Sequence, residues 1–314
     1  MKILTMLILC CQFIALCSEP FSRQEINAIP DFELTKPQFL TASDGIKLAY
    51  YPFADSSNKN IVILYAGAGL YGDKTYQWVA KTLQEKYNIG CYIFDIRGHG
   101  HSQGPRGDGP SIQQILLDVS SAVEFVKNQH TTANIYLTGH SSGAGLIINY
   151  NANMQHKTVD GYIFIAPYLG PNSKALKEHK DRNQSFVKAI RVWVYILGAI
   201  FPTSSCIHWN AVFFNYSANL LKQEPLIVPE YTYVMSMATT PYEVHELMTK
   251  INTPTTLFIG SDDEQFISSK VLAFGDLIKA PVHTQMIDGA KHLSILLDAP
   301  KLIAEYVSDQ QKTR

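Results

Sequence analysis

The chain has 314 residues, 46% hydrophobic and 17% charged, with a formal net charge of −1. This is a globular balance with length for one large core, and near-neutral charge gives no footing for a nucleic-acid partner. Three of the five cysteines lie in the first 17 residues, and Cys91 and Cys206 alone make neither a disulfide framework nor a four-ligand zinc site; no motif calls for a cofactor or metal.

Lys2 precedes "ILTMLILCCQFIALC", an uncharged apolar run of 15 residues, after which "SEPFSRQE" turns polar. The run is short of the roughly 20 residues that span a bilayer. It reads as a signal peptide over residues 1–17, with Ala15 and Cys17 as small residues before a cut near Ser18, so export is expected. Two alternatives stay open. "IALC" loosely resembles a lipobox that would anchor the chain at Cys17, although Leu16 stands where a smaller residue is usual. The run could also remain uncleaved as an N-terminal anchor.

Beyond the leader, "GIKLAYYPF" alternates as a strand does. "NIVILYAG" is continuously apolar, as in a strand covered on both faces. "TYQWVAKTLQEKY" has helical spacing, and "GCYIFDIRG" is again a buried strand. "SIQQILLDVSSAVEFVKNQH" is a long amphipathic helix with Ser111 as its N-cap. Ile135, Tyr136 and Leu137 end the next strand, and "GAGLIINYN" is the helix after it. "GYIFIAP" and "PTTLFIG" are two further buried strands, "VHTQMID" the last strand, and "HLSILLDAPKLIAEYV" the last helix. Strands alternating with helices predict an α/β fold: a mostly parallel central sheet, right-handed crossovers and helices on both faces. The rhythm fails over residues 169–245. This stretch reads as a cap inserted between core strands, splitting the core into residues 18–168 and 246–314.

Between the strand ending at Leu137 and its helix sits G-x-S-x-G, residues Gly139, His140, Ser141, Ser142 and Gly143. A sharp strand-to-helix elbow needs small flanking residues and would lift the Ser141 hydroxyl above the sheet. A serine becomes nucleophilic only when a base takes its proton and an acid orients the base. In an open parallel sheet these groups belong on loops at strand carboxyl ends. Asp263, in "FIGSDDEQF", follows one core strand, and His292, in "DGAKHLS", follows the last. The chain order Ser141, Asp263, His292 fits the fold. Asp262 and Glu264 are adjacent rivals for the acid. His283 lies inside the last strand and His140 belongs to the elbow, so both read as structural. An oxyanion needs donors. The backbone N–H groups of Ala68, in the nearly side-chain-free "YAGAGLYG", and of Ser142, after the nucleophile, are the candidates. "GAGLYG" as a dinucleotide loop is the competing reading, but it lacks the lysine of a P-loop and matches the fingerprint only loosely.

"FDIRGHGHSQG", with "TGHSSGAG", "GSDDEQF" and "GAKHL", resembles the α/β-hydrolases of the monoglyceride lipase and lysophospholipase group, over roughly residues 38–310 apart from the cap. The resemblance implies Ser141 as nucleophile, His292 as base and Asp263, by the spacing G-S-x-D, as acid. It also implies donors at Ala68 and Ser142, and makes residues 95–102, His99 and His101 included, a brace beside the elbow. Where the group usually has His-Gly before the oxyanion donor, this chain has Ala66-Gly67. That departure bears on loop geometry rather than on proton chemistry.

In the cap, "FVKAIRVWVYILGAIF" carries only Lys188 and Arg191 as charges and is too short for a simple span. It reads as a helix, either buried between cap and core or lining an acyl pocket and touching lipid. In the second case Val194 and Ile196 are the candidate substrate contacts. Trp193, Trp209, Phe213, Phe214, Tyr231 and Tyr233 add amphipathic surface suited to a long chain with a polar head. Asn183-Gln-Ser and Asn215-Tyr-Ser are sequons. The leading expectation is an exported serine esterase for single-chain lipid esters, with transient contact to a membrane or micelle surface. A short-chain carboxylesterase, or a peptidase or amidase, is the alternative on the same fold. A non-catalytic binding module is a third, which the intact triad argues against. Epoxide hydrolases and haloalkane dehalogenases need a carboxylate where Ser141 stands. Oligomeric state leaves no mark in the sequence.

Overall fold

The computed structural model describes residues 26, 28–153, 156–179 and 185–312. The apolar leader with Cys17, and the sequon residue Asn183, lie outside the described residues.

In chain order the first half holds β1 (Gln38–Thr41), β2 (Lys47–Phe53), β3 (Asn60–Tyr65), α1 (Lys74–Tyr87), β4 (Gly90–Phe94), α2 (Ile112–Gln129), β5 (Asn134–His140), α3 (Ser142–Asn151) and β6 (Gly161–Ile165). An insertion follows, with β7 (Val187–Ile190), α4 (Val192–Ile200), β8 (Asn210–Phe214), α5 (Ala218–Gln223), β9 (Glu230–Thr232), α6 (Tyr233–Thr239) and α7 (Val244–Thr249). The chain ends with β10 (Thr255–Gly260), α8 (Ser268–Ala273), β11 (Val282–Ile287) and α9 (Ile295–Lys312).

Eight strands form one sheet in the order β1-β2-β4-β3-β5-β6-β10-β11. The pairings of β1 with β2 and of β2 with β4 are antiparallel, and those from β4 through β11 are parallel. β3, β4, β6 and β10 are buried along their whole length. Covered by helices on both faces, they are the strands that read as unbroken apolar runs. Ser111 caps α2 by accepting the Gln114 N–H. The chain goes from β3 outward to β4, then returns across β3 to β5. The loops leaving β3 and β5 therefore diverge, and a crevice opens at their carboxyl ends, where ligands of open α/β sheets bind.

The stretch 186–201 departs from the expected single helix. Its first part is β7, paired antiparallel with β8, and β8 pairs in turn with β9 in a separate three-stranded sheet. Arg191, at φ −89° and ψ 84°, breaks the run, and α4 begins after it. Continuous apolarity carries no period, so the sequence could not divide this stretch.

Candidate active site

Ser141 stands between β5 and α3 at φ 52° and ψ −120°, a strained conformation for a residue with a side chain. The flanking glycines make the elbow possible. A Cβ on Gly139 would meet the Ala144 nitrogen at 2.3 Å, and one on Gly143 would meet the Tyr65 carbonyl oxygen at 2.5 Å. The turn is pinned by hydrogen bonds from the Ser141 N–H to the Ile165 carbonyl and from the Tyr168 N–H to the Ser141 carbonyl, both 3.0 Å.

The loops after β10 and β11 bring Asp263 and His292 to this serine. The Ser141 hydroxyl lies 3.0 Å from His292 Nε2, and His292 Nδ1–H donates to Asp263 Oδ2 at 2.8 Å. α9 starts only at Ile295, so His292 sits in the turn before it and can reach the elbow. Asp263 is fully buried, and its other oxygen accepts the N–H groups of Gln265 and Phe266 at 2.9 and 2.8 Å. Asp262 is exposed, and its carboxylate accepts the Ser261 hydroxyl at 3.1 Å. Glu264 accepts the His292 backbone N–H at 3.0 Å rather than the ring. Of the three adjacent carboxylates, Asp263 alone faces the imidazole.

Burial acts against charge on His292, but the Asp263 carboxylate, its hydrogen bond and the charge of Glu264 outweigh it and raise the imidazole pKa above its ordinary value. Burial likewise pushes the Asp263 carboxyl up. The His292 charge, its hydrogen bond and the two backbone donors outweigh this and hold the carboxyl below the usual range. A serine hydroxyl, a ring nitrogen that can accept its proton and an anion behind the ring are thus in line, the arrangement that nucleophilic acyl transfer uses.

Ala68 lies on the loop after β3, and Ser142 follows the serine as the first residue of α3. Neither N–H donates to a backbone carbonyl among the described residues, and both residues line the cleft with Ser141 and His292. His140 is buried with both ring nitrogens partnered. Tyr76 O–H donates to Nδ1 at 2.8 Å, and Nε2–H donates to the His292 carbonyl at 3.0 Å. Burial, then the His292 charge, lowers its pKa to about 3, so it stays neutral and structural. His99 is buried against Tyr231, and His101 pairs with Tyr51. Asp95 accepts the backbone N–H groups of Gly72 and His101. Residues 95–102 thus brace the loop after β3. Cys91 is buried in β4 and Cys206 in the insertion, both as free thiols. His283 is exposed and meets Thr256.

A cleft of about 810 Å³ opens over the serine, within the size range of small-molecule sites. Its walls include Tyr168, Phe186, Val187, Val212, Phe214 and Phe266. Here the sequence expectation is corrected: neither Val194 nor Ile196 lines it. Val194 is fully buried on the inner face of α4, and Ile196, 55% exposed, is on the outer face. The lining comes from β7, from Tyr195 and from β8, whose paired strands were not visible in the sequence. Sequence reasoning also missed Tyr76 and the roles of Tyr216 and Tyr231, which contact the loop after β3. Tyr216 and Tyr231 lie 148 and 162 positions from their loop partners, and no local motif marks any of the three.

The sequence model of the family described as Serine aminopeptidase, S33 matches residues 56–298. A probable lysophospholipase L2 of Haemophilus influenzae is 22% identical over 293 residues, covering 87% of this chain and 91% of that protein. Protein phosphatase methylesterase 1 of Candida albicans is 25% identical over 202 residues, 63% of this chain, and the match spans only 52% of that protein's length. Among solved structures, a soluble variant of monoglyceride lipase from Saccharomyces cerevisiae, bound to a substrate analog, superposes with a TM-score of 0.69. It is 16% identical, covering 89% of this chain and 97% of that one, so the likeness is one of fold.

Proposed function

Because the chain belongs to the serine aminopeptidase, S33 family and has the α/β-hydrolase fold of the monoglyceride lipase and lysophospholipase group, we propose that it hydrolyses single-chain lipid esters, such as monoacylglycerols or lysophospholipids, through Ser141, His292 and Asp263. The observation that carries this reading is the hydrogen-bonded line from Asp263 through His292 to Ser141 at the floor of a largely apolar cleft. In the reaction, Ser141 Oγ attacks the ester carbonyl carbon as its proton passes to His292 Nε2. The oxyanion is met by the N–H groups of Ala68 and Ser142. The imidazolium returns its proton to the departing alcohol oxygen, leaving an acyl-serine. Water, losing a proton to His292, then cleaves the acyl-serine by the same route. Asp263 stays ionised throughout and keeps Nε2 free to accept.

The same reading includes contact with a lipid surface. Ile190 and Val192 belong both to the cleft wall and to an exposed apolar face formed with Trp193, Ile196, Ile200 and Phe201. The test of function is a panel of esters from acetate to long acyl chains, with and without a phosphate headgroup, and of aminoacyl amides. Highest kcat/KM on long single-chain esters is expected. The family's description favours a second reading as a peptidase, for which Glu264 beside the serine could meet a substrate amine. Preference for aminoacyl amides would establish that reading and overturn the first.

A further inference from the structure

Resting on the reading that Ser141 is acylated, we propose that Tyr216 and Tyr231, both from the insertion between β6 and β10, are positioning residues that hold the oxyanion donor of Ala68 in place. The loop after β3, Ala66-Gly67-Ala68-Gly69, has almost no side chains with which to fix itself. The histidine that commonly precedes the donor in this group is replaced by Ala66.

The peptide joining Ala68 to Gly69 is held at both edges. Its carbonyl accepts the Tyr216 hydroxyl, and its N–H donates to the Tyr231 oxygen at 2.7 Å. A peptide unit is planar, so fixing its C=O and its N–H fixes the whole plane. One residue earlier, the Gly67 N–H donates to Tyr76 Oη at 2.9 Å. The peptide between, which carries the Ala68 N–H, is bracketed by two fixed neighbours, and its own carbonyl accepts the Leu70 N–H at 3.0 Å. What remains is a single N–H beside Ser141.

Tyr231 is itself oriented. His99 Nδ1 lies 3.0 Å from the Arg97 carbonyl and donates to it, so Nε2, 2.8 Å from the tyrosine, accepts a hydrogen bond from the phenol O–H. The phenol oxygen is left as an acceptor toward Gly69. Burial lowers the His99 pKa to about 4, which keeps the ring neutral in this role. The insertion presses on the same spot through its backbone. The Val228 N–H donates to the Gly69 carbonyl at 2.9 Å, and a Cβ on Gly69, which has φ +70°, would lie 2.2 Å from the Val228 carbonyl oxygen. The insertion is therefore part of the catalytic frame as well as a roof over the substrate.

Tyr216→Phe and Tyr231→Phe each delete one hydroxyl and keep the ring, which packs edge-on against Phe186 or Phe214. For each variant, kcat and KM are measured on a soluble short-chain ester, together with inhibition by a trifluoromethyl ketone whose adduct oxygen occupies the oxyanion position. Loss of an oxyanion donor costs about 10²–10³ in kcat, so a misaimed donor should cost about 10- to 100-fold. KM should stay nearly constant, because the donor acts in the transition state. Ketone affinity should fall in step with kcat. A role confined to packing would raise KM or lower the melting midpoint while the folded enzyme kept its kcat, and that result overturns the inference. Either hydroxyl tests it alone; loss of folded protein in both variants also overturns it, by making them fold determinants. Ser141→Ala run alongside separates the two readings. Turnover retained by Ser141→Ala sinks the catalytic reading itself, whereas an inactive Ser141→Ala with fully active tyrosine variants sinks only the positioning role.

Discussion

At φ 52°, Ser141 holds a conformation that costs free energy and persists because the elbow is fixed on both sides. Ser141→Ala should leave the fold intact, abolish labelling by a fluorophosphonate and lower turnover by about 10⁴-fold or more. A folded variant with full turnover would rule out the serine mechanism. The neighbouring aspartates give a sharper contrast. Asp263→Asn should be severe, because the buried acceptor of the His292 ring proton is lost. Asp262→Asn should be mild, because that side chain faces solvent. Exchanged ranks would reassign the acid. The pH profile follows from the sign of the His292 shift. Only neutral imidazole accepts the serine proton, so activity rises with pH, with a midpoint above the ordinary histidine value. In Asp263→Asn the two larger raising influences are gone and burial is opposed only by the charge of Glu264, so the midpoint of any residual activity should move down; an unmoved midpoint would detach the titration from His292. These three residues were legible because each sits on a motif at the carboxyl end of a readable strand. Tyr231 was not, since its partner Gly69 is 162 positions away and a tyrosine in a polar-aromatic stretch has no local signature.

The element that misled sequence reasoning is the stretch 186–201. Its hydrophobicity was visible, but its division into β7 and α4 was not, because β7 exists through pairing with β8 rather than through its own pattern. For the lipid ester proposed as substrate, the consequence is a different set of expected acyl contacts. Val187, on β7, lines the cleft and is only partly buried, so Val187→Glu should fold and should put a charge in the path of the chain. The kcat/KM ratio of a long to a short ester should fall by about 10-fold or more, the equivalent of about two methylenes at 0.8 kcal/mol each. Val194→Ala should behave in the opposite way. Val194 is fully buried and does not line the cleft, so its truncation should cost about 1–3 kcal/mol of stability and leave the ratio unchanged. If Val194→Ala lowers the ratio and Val187→Glu does not, the contacts lie in the core of α4 after all. The central sheet was read more faithfully because full burial on both faces forces unbroken apolar runs. The antiparallel edge strand β1, with its mixed sequence and exposed positions, offered no such signal.

At the scale of the whole molecule, the exposed face of α4 and the mouth of the cleft are one continuous surface. Val192 is 63% exposed, Ile200 60%, Ile196 55% and Trp193 50%, a concentration of apolar area that a freely soluble surface rarely carries. Among the described residues no helix is long and apolar enough to cross a membrane. Trp193 and Trp209 lie with ring centroids 5.6 Å apart, a pairing suited to the boundary between headgroups and acyl chains. Lys188 and Arg191 flank the face, with Arg191 over the Phe213 ring at 4.6 Å; on the proposed lipid-surface reading they are the cations expected to meet anionic headgroups. Ile190 and Val192 are shared with the cleft, so the proposed contact with a lipid surface predicts that this face delivers a single-chain lipid to the cleft. The double variant Trp193→Glu, Ile196→Glu tests this. Full burial of one such side chain contributes about 1.5–3 kcal/mol, and each is already about half covered. Losing two should therefore weaken partition onto vesicles containing anionic lipid by about 10- to 100-fold. Turnover of a soluble short ester should not change, since neither residue reaches the cleft. Turnover of vesicle-borne substrate should fall with partition. Unchanged vesicle binding, or an equal fall on soluble and vesicle-borne substrates, would mean that this face serves something other than a lipid surface.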